Sequence, residues 1–247
     1  MQTLAVGTLF APSGAKEAMN KKLNVYRGRL TIAQITAGMN AAEANAQRLS
    51  MDAETLLAAC RFPTATSLAA LAIEESGKTS ILRELALAAT DAEAMEGWKR
   101  YRSHTRKNML WLLPQLALSG ARRLEEFRSL FQESAEHPFI LDHIKQLGLY
   151  TDCLGDAHWA LPWEVIDENL ARSFVGISKL FSGIKNHTEL EIALWIEHMG
   201  PVWNRDSTIM EQGLVRWYAA MQMHGLADEG PNEMERFIRE GIPIRAP

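Results

Sequence analysis

The chain has 247 residues and a mass of 27.6 kDa, enough to withdraw roughly 70 to 75% of its surface from water, which excludes a solvated peptide. Apolar residues make up 47% and charged residues 23%, the proportions of a folded globular protein rather than a disordered one. Lys plus Arg number 26 against 30 Asp plus Glu, and the formal net charge of -4 excludes a globally basic nucleic-acid coat while leaving room for a local basic patch.

Residues 1–28 mix a short apolar piece with Gly, Pro, Lys and Asn and are expected to form an N-terminal arm. Within it, Leu4 to Ala11 lacks a basic lead-in and runs into Pro12, which argues against an export signal. No uncharged run reaches eighteen residues, so no membrane span is expected and the protein is read as cytoplasmic. From Thr31, a capping residue, Ile32, Ile35, Met39, Ala42, Ala46 and Leu49 recur at helical spacing to about Ala59. Pro63 breaks the pattern, and a second helix is expected from Ala65 to Ala89, capped by Thr64 or Thr66. It is apolar over most of its circumference, the mark of a helix central to a bundle.

A third helical run, Gly97 to Leu118, is expected to kink or split at Pro114. Residues 122–136 have the pattern of a charged amphipathic helix burying Leu124, Phe127 and Phe131, and Pro138 through Trp163 that of a structured crossing loop. Helical pattern resumes over Trp163 to Phe181, Thr188 to Met199, Ser207 to Met223 and Asn232 to Arg239. Trp195, Trp203, Trp217 and Tyr218 are spaced like core residues. The two cysteines, Cys60 and Cys153, have no zinc or CxxC spacing and are expected as buried thiols in a reducing compartment. The fold class is all-α: a helical bundle over 29–182 and a C-terminal helical extension over 183–247.

Two constellations carry chemistry. Glu74-Glu75-Ser76-Gly77-Lys78 interrupts the most apolar helix. On a continuous helix Glu75 and Lys78 join the stripe of Leu68, Leu71, Leu82 and Leu85, while Glu74 and Lys78 can pair along the surface. Charges placed there must pair, bind something or line a wet cleft. They serve either as an internal bridge fixing register or as a site for a cation or an anionic substrate. A phosphate-binding loop is excluded, because the earlier glycine and the preceding strand are missing. The second constellation is Lys99, Arg100, Arg102, His104, Arg106 and Lys107, interleaved with Trp98 and Tyr101. In one helix Arg100, His104 and Lys107 share a face, where cations hold phosphate, an aromatic stacks on a base and His104 exchanges protons. The alternative is a solvated basic face. No HxxxH pair, GxSxG elbow or metal-ligand spacing occurs, so no metal or cofactor is expected.

Leu71-Ala72-Ile73-Glu74-Glu75-Ser76-Gly77-Lys78 in an Ala-rich helix, then His104-Thr105-Arg106-Lys107, then Ile144-Lys145-Gln146-Leu147-Gly148-Leu149-Tyr150-Thr151-Asp152 before Pro162, resembles the AbiV family of bacterial abortive-infection proteins within the HEPN superfamily. The resemblance covers about residues 30–182. It implies a HEPN-like helical bundle, frequent homodimerisation, and defence against phage by arresting translation or damaging RNA. Many HEPN proteins are metal-independent endoribonucleases whose site is an Arg, four to six residues, then His. Here Arg100-Tyr101-Arg102-Ser103-His104 has three intervening residues.

If RNA is cut, the resemblance and the chemistry together assign His104 to proton transfer, and Arg100 and Lys107 to the charge on the phosphorane. Glu74 or Glu75 then orients a cation or carries the second proton, with Lys78 beside them. Lys99, Tyr101, Arg102 and Arg106 are the candidate RNA contacts, and Tyr150 and Asp152 either wall the cleft or tie the crossing loop to the bundle. The alternatives are a protein that grips RNA or the ribosome without cutting, and a helical protein-interaction module. Expected partners are RNA or the translation machinery, a phage-encoded trigger and a second copy of the chain, with no membrane. Each enzymatic version requires the two charged turns to meet in one water-reachable crevice.

Overall fold

A computed structural model describes residues 25–132, 134–183 and 186–241, so most of the expected N-terminal arm lies outside the described residues. Helices make up nearly all the regular structure, as the periodicity predicts. Among the described residues the one sheet is an antiparallel hairpin of β1 (Asp152–Leu154) and β2 (His158–Ala160). No described helix is long and apolar enough to cross a membrane.

Helix α1 (Ile32–Ala58) starts where Thr31 predicts, with a reciprocal capping box: the Gln34 amide donates to Thr31 Oγ1 at 3.2 Å, and the Thr31 amide donates to Gln34 Oε1 at 2.9 Å. It turns at Cys60, which adopts φ 57° and is exposed, contrary to the expectation of a buried thiol; Cys153 is exposed as well. Helix α2 (Phe62–Ala86) begins three residues earlier than expected, because Pro63 sits in its first turn, where a missing N–H costs nothing. Thr66 is inside the helix and donates to Phe62 O at 2.9 Å instead of capping. The two helices run antiparallel: Ala53 near the end of α1 packs with Ala65 and Ala69, while Ile35 and Met39 near its start pack with Leu82 and Leu85.

The third run is three short helices, α3 (Asp91–Arg102), α4 (His104–Lys107) and α5 (Leu113–Leu118). The first break falls at Ser103, whose hydroxyl accepts the Arg106 amide and so starts a new helix, not at Pro114. Residues 124–131 form a 3-10 helix that buries Phe127 and Leu130 and leaves Phe131 exposed. The expected crossing loop instead opens with α6 (His137–Leu149), again with Pro in its first turn. The hairpin and a single turn, α7 (Pro162–Val165), lead to α8 (Glu168–Phe181), which lays Phe174 and Val175 on α2.

The last helices are α9 (Glu189–Met199), α10 (Ser207–Met223) and α11 (Glu233–Arg239). Trp195 and Trp217 are buried with Met199 and Met221, and Trp203 packs against them. Arg83 of α2 reaches this cluster: its carbonyl accepts from Trp195 Nε1 at 3.1 Å, and its guanidinium lies 5.8 and 5.6 Å from the rings of Trp195 and Trp217. Beside it, buried His187 places Nδ1 3.0 Å from Glu191 Oε2 and Nε2 3.9 Å from Glu43 Oε1, while Arg83 pairs with Glu191 at 2.5 Å. The hydrogen bond to Glu191, with the Glu43 carboxylate close by, raises the His187 pKa against the effect of burial. Burial pushes the Glu191 carboxyl up, but His187 and Arg83 outweigh it and hold it below the usual range. The histidine's contribution to stability is therefore full below its unfolded value of about 6.5 and disappears as pH rises through the raised folded value. The glutamate's contribution is full above about 4.5 and disappears as pH falls through the lowered one. Thermal unfolding followed against pH is expected to show greatest stability between these limits, and His187→Gln is expected to flatten the alkaline limb.

Candidate active site

Glu74 is 2% exposed, yet its carboxylate is the centre of the most heavily charged contact in the bundle. Helix α4 supplies His104, whose Nδ1 lies 2.8 Å from Glu74 Oε2, and Lys107, whose Nζ lies 3.7 Å from the same oxygen. Helix α6 supplies Lys145, whose Nζ donates to Glu74 Oε1 at 2.6 Å. The same ammonium is 2.6 Å from Asp142 Oδ1, an ion pair short of an aligned hydrogen bond, and 3.4 Å from His104 Nδ1. Two carboxylates, two ammoniums and one imidazole therefore converge from three helices, and the buried charges balance.

Small residues let the three helices approach this closely. A Cβ at Gly77 would collide with the Lys107 carbonyl, so α4 crosses directly on the backbone of α2. Gly148 performs the same service for α6, resting against Ser67 and the Pro63 carbonyl, and Ser67 Oγ donates to Lys145 O at 3.0 Å. The connection between α4 and α5 is pinned to the start of α6: Trp111 Nε1 donates to His137 O at 2.8 Å, and His137 Nε2 to Met109 O at 2.8 Å. Asn108, fully buried, donates to Pro138 O at 3.3 Å.

The electrostatics divide the two lysines. Burial pushes the Lys107 pKa below the usual lysine range, with Glu74 opposing it only in part. Burial also acts against the charge on Lys145, but Asp142 and Glu74 outweigh it and hold its pKa above the usual value. His104 differs from both, because 59% of its side chain is exposed. A carboxylate can only accept, so in the neutral ring the 2.8 Å contact requires the proton on Nδ1 and puts the lone pair on Nε2.

The predicted convergence of the two charged turns is present, but its membership differs from the expected one. Glu74, not Glu75, points inward; Glu75 pairs with Lys78 at 2.5 Å, and Lys78 also lies 5.3 Å from the Tyr101 ring. Arg100 pairs with Glu84 at 3.0 Å, since the break at Ser103 takes it off the face of His104. Lys99 pairs with Glu96 at 2.9 Å, and Arg102 donates to Tyr26 O while its guanidinium lies 5.1 Å from the Trp98 ring. Arg106 is exposed and has no ion pair among the described residues. Tyr150 is exposed at the end of α6, and Asp152 accepts from the Cys153 amide at 2.8 Å; neither hydrogen-bonds the cluster. Neither charge density nor spacing marks Asp142 and Lys145 in the sequence, although Lys145 stands inside the third segment that carries the family resemblance.

The sequence leads to no expectation of a metal, yet Glu74, His104 and Asp142 offer ligand atoms within 4.8 Å of one another. The Lys145 ammonium already stands between the two carboxylates, so a divalent ion would have to displace it.

The family model HEPN_AbiV, described as AbiV, matches residues 34–182, more than half of the chain, and the chain belongs to this family of abortive-infection proteins. No curated protein and no solved structure matches the chain.

Proposed function

We propose that the chain arrests translation during phage infection by cutting RNA, with His104 as the proton carrier of a metal-independent transesterification. The observation that carries this reading is the exposed imidazole held at 2.8 Å by a carboxylate that is itself buried and flanked by two lysines. His104 Nε2 takes the proton of a ribose 2′-hydroxyl, and the 2′-oxygen attacks the adjacent phosphorus. The bond to the 5′-oxygen breaks, and that oxygen leaves with a proton from water, giving a cyclic phosphate and a 5′-hydroxyl. Glu74 keeps the imidazole in the required tautomer and stabilises its charged form.

Pure electrostatic occlusion has less support, because the cations of the basic run are largely spent on Glu96, Glu84 and Glu74. Purified protein is expected to cleave single-stranded RNA in the presence of a chelator and to leave cyclic phosphate ends. His104→Ala is expected to lower the rate by at least about a hundredfold in a protein that still folds, with a modest fall in melting temperature because Glu74 Oε2 loses its 2.8 Å donor. Cleavage at the wild-type rate in that variant would remove His104 from the mechanism. Intact RNA bound with a steep salt dependence would establish occlusion instead.

A further inference from the structure

The segment that follows α6 contributes little to the core and no group to the charged cluster. Between Leu149 and Val165 the chain exposes Leu149, Tyr150, Leu154, Trp159, Trp163 and Val165, with Trp159 and Trp163 at 62% and 67% exposure. By contrast, the indoles of Trp98, Trp111, Trp195 and Trp217 are buried. Aromatic surface left in water, with aliphatic side chains around it, marks a place where a partner sits.

The local structure explains why these side chains point outward. Strands β1 and β2 pair only with each other, through a turn that contains Gly155 and Ala157 at φ 50° and 60°. Successive residues of a strand face opposite ways, so buried Ala160 turns one side of the hairpin to the bundle and Trp159 turns the other to solvent, with Cys153 across from it. Leu161 then leads into α7, a single turn that buries neither Trp163 nor Val165.

The charge on this surface has one sign. Neither Lys nor Arg occurs between Lys145 and Arg172. Asp152, Asp156 and Glu164 are exposed and make no ion pair among the described residues. Such a surface repels RNA phosphates and anionic lipid, whereas an ammonium or guanidinium gains from the carboxylates and from the indole faces alike.

We propose that the hairpin and α7 dock a basic segment of a partner protein, whose apolar side chains cover Trp159 and Trp163 and whose Lys or Arg side chains meet Asp152, Asp156 and Glu164. The two indoles supply the anchor, and the carboxylates select the partner. This docking is independent of whether RNA is cut.

The test uses the full chain and a fluorescein-labelled peptide of alternating Leu and Lys, with the same peptide carrying Glu in place of Lys as control. Saturable binding of the Lys peptide is expected, falling as salt is raised, and binding of the Glu peptide is expected to be at least about tenfold weaker. Trp163→Ala, and Asp156→Lys combined with Glu164→Lys, alter only exposed side chains and are each expected to weaken binding at least about tenfold. Met223→Ala and Glu240→Lys, at the exposed ends of α10 and α11, leave it unchanged. Absence of saturable binding, equal binding of the two peptides, or full affinity in both patch variants overturns the docking site. So does self-association of the chain that Trp163→Ala abolishes and the Lys peptide does not disturb, which would give the face to a second copy.

Discussion

Glu74→Ala is expected to destabilise the protein by about 3 to 5 kcal/mol, the cost of breaking a buried ion pair from one side. Lys107 and Lys145, with side chains 7% and 4% exposed, would lose the carboxylate that both face, and Asp142 alone would remain to neutralise Lys145. Glu74→Gln keeps the shape and one acceptor oxygen and is expected to lose less. Glu74→Leu combined with Lys145→Met is expected to lose less than the sum of the single changes, because removing both charges spares the desolvation that each alone leaves uncompensated. Urea unfolding of these variants checks this. Additive losses would show that Glu74 and Lys145 are stabilised separately, and the cluster would then be a set of independent pairs. The same series bears on chemistry, since Glu74→Gln leaves His104 in place but removes the charge that stabilises its imidazolium. A decrease in RNA cleavage in that variant, beyond any loss of folded protein, is expected.

The long amphipathic or Ala-rich stretches are legible in the sequence because helical period and capping residues agree, as at Thr31 with Gln34, and Ser207 to Met223 forms a helix over the very residues predicted. The departures share a physical cause. Leucine spacing points to one buried face of α2, whereas the fully buried small residues Ala65, Thr66, Ser67, Ala69, Ala70 and Ala72 lie on nearly all sides of it, and Leu68 and Leu71 are only partly buried. In a helix enclosed by others, small residues mark where backbones approach most closely, and Glu74 rather than Glu75 lies in line with Ser67 and Ala70 at i, i+3 and i+7. Helix α6 is hidden in the sequence because Pro138 and Gly148 have the character of breakers, when the first occupies the first turn and the second a helix crossing. Asp142 and Lys145 are spaced as an ordinary i, i+3 pair, which does not mark them as part of a site. The partner that brings Lys145 into the cluster is about seventy residues earlier in the chain, and a lysine on a helix is ordinary until that neighbour is known.

Gly77→Ala is the more revealing change, because local and tertiary physics push it in opposite directions. Within an isolated helix the substitution stabilises by about 1 kcal/mol. In this bundle the added methyl would meet the Lys107 carbonyl, a backbone atom that cannot rotate aside, so α4 must lift away from α2. Overpacking of this kind costs typically about 1 to 3 kcal/mol after relaxation, and lifting α4 carries His104 and Lys107 off Glu74 together. Gly176 in α8 provides the matched control: it is exposed, helical, and an added methyl there would find nothing within 4 Å, so Gly176→Ala is expected to be neutral or stabilising. Melting temperatures of the two variants are therefore expected to move apart, and cleavage of RNA to fail in Gly77→Ala while surviving in Gly176→Ala. A fully active, fully stable Gly77→Ala protein would mean that α4 does not rest on α2 at this turn, and the geometry that unites the glutamate, the histidine and the two lysines would fall with it.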